Sequence, residues 1–105
     1  MPYNWIGGNI ESVVADVTAL PFSFTASHSG MMVAGFRKLQ AQTYGSITIT
    51  CDNVPSFSYN VTLYDSSLGY TIDSRAFPIA KGYKYNFIEI QGSTGVQIRY
   101  INLFY

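Results

Sequence analysis

Apolar and polar residues alternate in several short stretches of the chain, as they do in strands that bury one face. The clearest stretch is 46–51, in which Ile47 and Ile49 alternate with hydroxyl residues. A second stretch, 56–64, places four apolar side chains on one side: Phe57, Tyr59, Val61 and Leu63. These patterns predict β-strands whose apolar faces share a core.

Turn-forming residues interrupt the alternation about every ten residues, a spacing typical of antiparallel sandwiches and barrels. The complete series of predicted strands is 10–20, 22–26, 31–39, 46–51, 56–64, 70–77, 83–90 and 96–105. We therefore predict an all-β fold, an antiparallel two-sheet sandwich of the jelly-roll type with about eight strands. An immunoglobulin-like sandwich fits less well, because the Cys–Trp–Cys pattern of that fold is missing.

The stretch 10–20 is the one place where a helix competes with a strand. Its apolar residues alternate with polar ones, but Ile10, Val13 and Val17 also fit one face of a helix. The many β-branched residues and the proline that follows, Pro21, favour a strand.

The chain has 105 residues, which suits a single β-sandwich domain spanning 1–105. Residues 1–9 contain Pro2, Gly7 and Gly8 and are predicted to form a loop-like lead-in to that domain.

The sequence ends on an apolar, aromatic strand, although chain termini are usually polar and frayed. Such a strand is costly to leave in water, so we expect it to lie inside a sheet or at a subunit interface. The candidate interface residues are Trp5, Tyr100, Leu103, Phe104 and Tyr105.

Charged residues make up only 11% of the chain, and the formal net charge is zero. This composition lacks the basic footprint of a nucleic-acid-binding protein and the polybasic anchor of a membrane-surface protein. Low charge also favours self-association. No signal peptide or long apolar run is visible, so we expect no membrane insertion and synthesis in the cytoplasm without a signal peptide.

Catalysis and metal binding have few candidate residues in this sequence. Cys51 is the single cysteine and lies at the end of a strand, which predicts a buried structural thiol. The single histidine, His28, lies in a Ser-His-Ser-Gly turn without a second histidine to complete a metal site. We therefore expect a non-enzyme with no metal and no cofactor.

Recognition of a ligand is better supported, because tyrosines and charged residues gather in one stretch. Aromatic rings stack on sugars, while carboxylate and guanidinium groups bind hydroxyls. The alternative is that these tyrosines are half-buried strand residues with solvated hydroxyls. The candidate ligand-binding residues are Tyr64, Asp65, Tyr70, Asp73 and Arg75.

Four short motifs resemble the C-terminal head domains of bacteriophage tail and head fibres and related jelly-roll adhesins. The turn 78–82, Pro-Ile-Ala-Lys-Gly, matches the turn before the penultimate strand of that family, with Tyr83 where an acidic residue is usual. The stretch 24–31, Phe-Thr-Ala-Ser-His-Ser-Gly-Met, matches an earlier strand and turn, with Ser27 in place of a proline. The opening 2–8 and the ending 100–103 match more loosely.

This resemblance implies a homotrimeric virion protein whose last strand lies near the three-fold axis. It implies a receptor-binding domain that attaches the virion to a host-surface glycan or protein, with no catalytic residues to transfer. Three alternatives remain open: a capsid decoration or head-fibre module that makes only protein contacts, a monomeric carbohydrate-binding module, and a small glycan hydrolase.

Overall fold

The computed structural model describes residues 8–38, 45–63, 71–90 and 95–105. These residues form eight strands: β1 (Ile10–Val17), β2 (Phe22–Thr25), β3 (Gly30–Lys38), β4 (Gly45–Cys51), β5 (Val54–Leu63), β6 (Thr71–Ile79), β7 (Lys84–Glu89) and β8 (Val96–Phe104). Each predicted strand has a counterpart among them. The ambiguous stretch 10–20 begins with a strand, β1, as its β-branched residues indicated.

The eight strands form two four-stranded antiparallel sheets. Sheet 1 has the order β1-β8-β3-β6, and sheet 2 has the order β2-β7-β4-β5. Consecutive strands alternate between the sheets except for β4 and β5, which pair with each other in sheet 2, and this is the connectivity of a jelly roll. The predicted two-sheet jelly-roll sandwich is therefore confirmed.

The core lies between the sheets, where alternate residues of each strand point inward. Phe36 of β3 and Phe87 of β7 are fully buried, as are Ile47 and Ile49 of β4. Cys51, at the end of β4, is a free cysteine that is only 4% exposed, which confirms the predicted buried thiol. Lys38 is also buried, and its Nζ atom has no hydrogen-bond partner among the described residues.

A buried tyrosine ties β7 to the turn that precedes it. The Tyr85 hydroxyl accepts a 2.9 Å hydrogen bond from the backbone N–H of Ala80. Burial of the ring raises the pKa of Tyr85 above its usual value of 10.0, because the tyrosinate anion would lose its hydration. The hydroxyl therefore stays protonated and fixes the turn against the core.

The final strand, β8, lies in the middle of sheet 1, between β1 and β3. Ile98, Ile101 and Leu103 point inward and are at most 1% exposed. The prediction that the apolar terminus is enclosed in a sheet is confirmed. Leu103, which was also a candidate for a subunit interface, belongs instead to the core of its own chain.

A β-bulge in β8 determines which of its side chains lie on the outer face of sheet 1. The register between β8 and β3 shifts by one residue, so that Phe36 pairs with Ile98 while Gly35 pairs with Tyr100. Arg99 is the extra residue, and the alternation of inward and outward positions changes phase there. Ile98 and Ile101 therefore both point inward, although three positions separate them.

At Gly30, the first residue of β3, the backbone of Phe104 lies too close to leave room for a side chain. A Cβ atom added there would lie 2.1 Å from the backbone oxygen of Phe104, and the residue has a φ of 154°. The obstruction is backbone in a paired strand and cannot swing aside. We expect Gly30→Ala to lower the free energy of unfolding by about 2–4 kcal/mol in chemical denaturation.

Gly82 supplies the matched control for this substitution. It also has a positive φ, 84°, but a Cβ atom there would meet nothing within 4 Å. Gly82→Ala should therefore cost only the backbone strain, about 1–2 kcal/mol. Equal losses for the two variants would show that the contact with Phe104 is not what requires glycine at position 30.

Candidate ligand site on the outer face of sheet 1

The outer face of sheet 1 is formed by the residues of β3 that alternate with its buried ones. Met32, Ala34 and Phe36 are fully buried against sheet 2, so Gly35 faces the other way. Gly35 pairs with Ser74 of β6 on one side and with Tyr100 of β8 on the other. Because paired residues of neighbouring strands share a face, these three positions form one row across the sheet.

The glycine in this row makes room for the tyrosine ring. An added Cβ atom on Gly35 would lie 2.2 Å from Cε2 of Tyr100 and 2.5 Å from Cζ. The ring therefore occupies the space above β3 that a side chain at position 35 would fill, as aromatic residues do beside glycines in sheets. This packing holds the ring against the sheet.

An open groove of about 310 Å³ lies beside the tyrosine ring. Its lining combines an aromatic and an aliphatic residue with a serine, an aspartate and an arginine. The lining residues are Ile72, Asp73, Ser74, Arg99 and Tyr100. An apolar surface with a few polar groups that converge on it is the usual composition of a small-molecule site.

The carboxylate of Asp73 contacts two neighbouring residues of β6. Its Oδ2 atom lies 2.6 Å from Nη1 of Arg75, and its Oδ1 atom accepts a 2.8 Å hydrogen bond from the backbone N–H of Ser74. Arg75 Nη1 also donates a 3.0 Å hydrogen bond to the backbone oxygen of Ser74. The two charged side chains thus hold the Ser74 backbone between them.

A second arginine on this face, Arg37, is engaged as well. Its Nε atom donates a 2.7 Å hydrogen bond to Oε1 of Gln97. Its Nη2 atom lies 3.7 Å from Oδ1 of Asp16. Arg99, unlike Arg37 and Arg75, contacts an aromatic ring: its guanidinium carbon lies 5.8 Å from the centroid of the Tyr100 ring.

The structure brings together only part of the predicted ligand-binding set. Tyr64, Asp65 and Tyr70 lie outside the described residues. Asp73 and Arg75 are in strand β6 and form an ion pair with each other. Of this set, Asp73 lines the groove.

The candidate interface residues of the C-terminal strand occupy different environments. Tyr100 lines the groove, and Phe104 is half-buried on the same sheet. The Tyr105 ring stacks on His28, with 3.6 Å between centroids and 5° between planes, and its backbone exchanges two hydrogen bonds with Asn9. Trp5 lies outside the described residues, and the single chain does not test the predicted trimer.

The sequence interpretation missed Ile72, Ser74 and Arg99 as site residues. Two signals were available for them. Gly35 interrupts an otherwise apolar strand, and the apolar positions of the last strand run 96, 98, 101 and 103, with an extra residue in the middle. Together these features indicate a bulge opposite a glycine, where an aromatic side chain can lie over the neighbouring strand.

Ser27, His28 and Glu11 lie in contact with one another, but they do not have the arrangement of a catalytic triad. The Ser27 hydroxyl lies 3.1 Å from Nδ1 of His28 and donates a 2.5 Å hydrogen bond to Glu11. Glu11 Oε1 lies 3.5 Å from the same ring nitrogen. In a triad the hydroxyl and the carboxylate contact opposite nitrogens of the imidazole.

Within the described ranges 8–38, 45–63, 71–90 and 95–105, no three His, Cys, Asp or Glu side chains are grouped so that they could hold a metal ion. The same ranges contain no helix long and apolar enough to span a bilayer.

Comparison with known proteins relates the chain to others only through its fold. No protein-family model matches it, and no curated protein does. Among solved structures it is similar to the C-terminal CBM6 of LamC, a laminarinase of Zobellia galactanivorans, with a TM-score of 0.53 and 15% identity over 93% of this chain and 90% of that chain.

Two further solved structures are similar to the chain at comparable TM-scores and identities. The carbohydrate-binding module CBM6cm-2 of Cellvibrio mixtus lichenase 5A, in complex with cellotriose, has a TM-score of 0.51 and 12% identity, covering 94% of this chain and 87% of that one. The Podospora anserina GH26-CBM35 β-(1,4)-mannanase has a TM-score of 0.53 and 12% identity over 80% of this chain, which spans only 18% of the mannanase. At these identities the comparison establishes an all-β sandwich resembling the CBM6 jelly rolls.

Proposed function

We propose that this chain is a glycan-binding β-sandwich module and that it binds sugars in the groove beside Tyr100. The observation that carries the proposal is the tyrosine ring packed over Gly35, with the hydroxyl of Ser74 and the guanidinium of Arg99 in the same groove. A fixed aromatic surface stacks on the C–H face of a sugar, and the neighbouring polar groups bind its hydroxyls.

The fold comparison supports this proposal from a separate direction. Two of the similar solved structures are carbohydrate-binding modules of nearly the same length as this chain, and one of them was solved with cellotriose. A fold does not determine a function, so the argument rests on the groove. The host attachment implied by the resemblance to phage fibre heads is the biological role that such a site would serve.

Binding is favoured over glycan hydrolysis by the arrangement of acids. Glycoside hydrolases place two carboxyl groups on either side of the bond that is cleaved. Among the described residues, the groove is lined by one acidic residue, Asp73, and its carboxylate is paired with Arg75.

A glycan array followed by titration of each positive glycan tests the proposal. Tyr100→Ala removes the stacking surface and should weaken binding at least tenfold, which corresponds to about 1.4 kcal/mol. Gly35→Ala leaves the tyrosine in the sequence but places a methyl group where its ring lies. Since the ring can swing away, we expect a folded protein with a similar loss of affinity.

Tyr59→Ala is the matched control, because Tyr59 is another tyrosine with 46% of its surface exposed, on β5 of the other sheet. It should bind as the unmodified protein does. Thermal melts of all variants separate loss of binding from loss of fold. If Tyr100→Ala and Gly35→Ala both keep full affinity, the groove is not the binding site.

A further inference from the structure

We propose that the groove selects acidic sugars, with Arg99 binding the carboxylate of a uronic acid residue. This inference rests on the proposed function, since it names the class of glycan that the same groove takes. It follows from the distribution of charge around the groove and from the geometry that the bulge in β8 gives to Arg99.

Arg99 and Asp73 line the groove, and Arg37, Arg75 and Asp16 lie in the same sheet, on strands β3, β6 and β1. Arg75 is paired with Asp73 at 2.6 Å, and Arg37 is paired with Asp16 at 3.7 Å. Arg99 makes no ion pair and no hydrogen bond with any residue in the ranges that the structure describes. The groove therefore carries one positive charge that no described carboxylate neutralises.

The carboxylates of Asp16 and Asp73 each contact an arginine other than Arg99. Asp16 lies between Ala15 and Val17, which pair with Tyr100 and Ile98, and its Oδ1 atom lies 3.7 Å from Nη2 of Arg37. Asp73 lines the groove, but it is neutralised by Arg75 and accepts the backbone N–H of Ser74. Repulsion between these groups and an incoming carboxylate is reduced accordingly.

The guanidinium group of Arg99 is also held where a bound sugar would lie. As the extra residue of the bulge it enters the groove next to Tyr100, and its contact with the ring at 5.8 Å is within range of a cation–π interaction. A guanidinium has five N–H donors in a planar fork that matches both oxygens of a carboxylate. A sugar stacked beside Tyr100 could therefore present its carboxylate to Arg99.

The inference is tested by comparing acidic oligosaccharides with their own methyl esters. The probes are galacturonate, glucuronate and alginate oligosaccharides, each before and after esterification, titrated by calorimetry at low and at high salt. Esterification removes the charge but keeps the sugar backbone. We expect at least one acidic probe to bind tenfold or more tightly than its ester, and this difference to shrink as salt screens the charge.

Variants assign the preference to a particular arginine. Arg99→Gln should abolish the difference between acid and ester while weak binding of the ester remains. Arg99→Lys should keep part of it, because lysine retains the charge but lacks the fork. Arg37→Gln is the matched control, since this arginine shares the face but is already paired.

The outcomes separate the two proposals. If acid and ester bind equally, or if only neutral glycans bind, the inference is wrong while the groove remains a glycan site. Binding of sulfated but not carboxylated glycans would also overturn the carboxylate assignment. If no glycan of any kind binds, both proposals fail.

Discussion

Deletion of residues 103–105 should leave the chain unfolded. The deletion shortens β8, which pairs with both β1 and β3 in the middle of sheet 1. It removes the buried side chain of Leu103, which contributes about 1.5–3 kcal/mol, together with the half-buried Phe104 and Tyr105. It also removes the two backbone hydrogen bonds between Tyr105 and Asn9. Circular dichroism and thermal melting of the purified protein would measure the loss.

Tyr105→Ala is the control for this deletion, because it removes the terminal aromatic ring but leaves the end of β8 in place. This variant keeps Leu103 and the backbone bonds to Asn9 but loses the stacking of Tyr105 on His28. It should fold and melt cooperatively, with a modest decrease in stability. A truncated protein that melts cooperatively near the temperature of the full chain would show that the end of β8 is not part of the essential core.

The second large effect is expected for Phe87→Ala, which should lower the free energy of unfolding by about 3–5 kcal/mol. Phe87 is fully buried in β7, with ring centroids of Phe22, Phe24 and Phe36 at 6.4, 6.4 and 6.2 Å. The last of these rings belongs to the opposite sheet, so the deletion opens a cavity between the sheets. Urea denaturation followed by tyrosine and tryptophan fluorescence would give the difference.

Ile88→Ala is the control for this prediction, because Ile88 follows Phe87 in the same strand but points outward and is 43% exposed. It removes an apolar side chain without forming an internal cavity, so we expect a loss below about 1 kcal/mol. Similar losses for the two variants would mean that position 87 is not the centre of the core.

The sequence was sufficient to predict the strands and the enclosed terminus, because these depend on local alternation. Stretch 46–51 shows this directly: Ile47 and Ile49 alternate with hydroxyl residues, and both are fully buried. The β-branched content of β1 also decided correctly between strand and helix. In each case the side-chain pattern and the burial have the same two-residue period.

The groove was not predicted, because it depends on which strands become neighbours. Ser74, Gly35 and Tyr100 are far apart in the sequence and share a row only because β3 lies between β6 and β8. Tyr100 was predicted as a candidate interface residue, which the single chain does not test. The position of its ring over Gly35 follows from the bulge at Arg99, which depends on the pairing of β8 with β3. The lack of a carboxylate partner for Arg99 among the described residues was not predicted either, since it depends on which arginine each aspartate contacts.

The central claim is that glycans bind on the outer face of sheet 1, beside Tyr100. The most direct test is a titration of the ¹⁵N-labelled protein with a glycan found positive on the array, followed by amide chemical shifts. The account predicts that the largest shifts cluster at Gly35, Ser74 and Tyr100. Shifts concentrated on the outer face of sheet 2, around Thr48 and Asn60, or confined to residues 64–70, would contradict it.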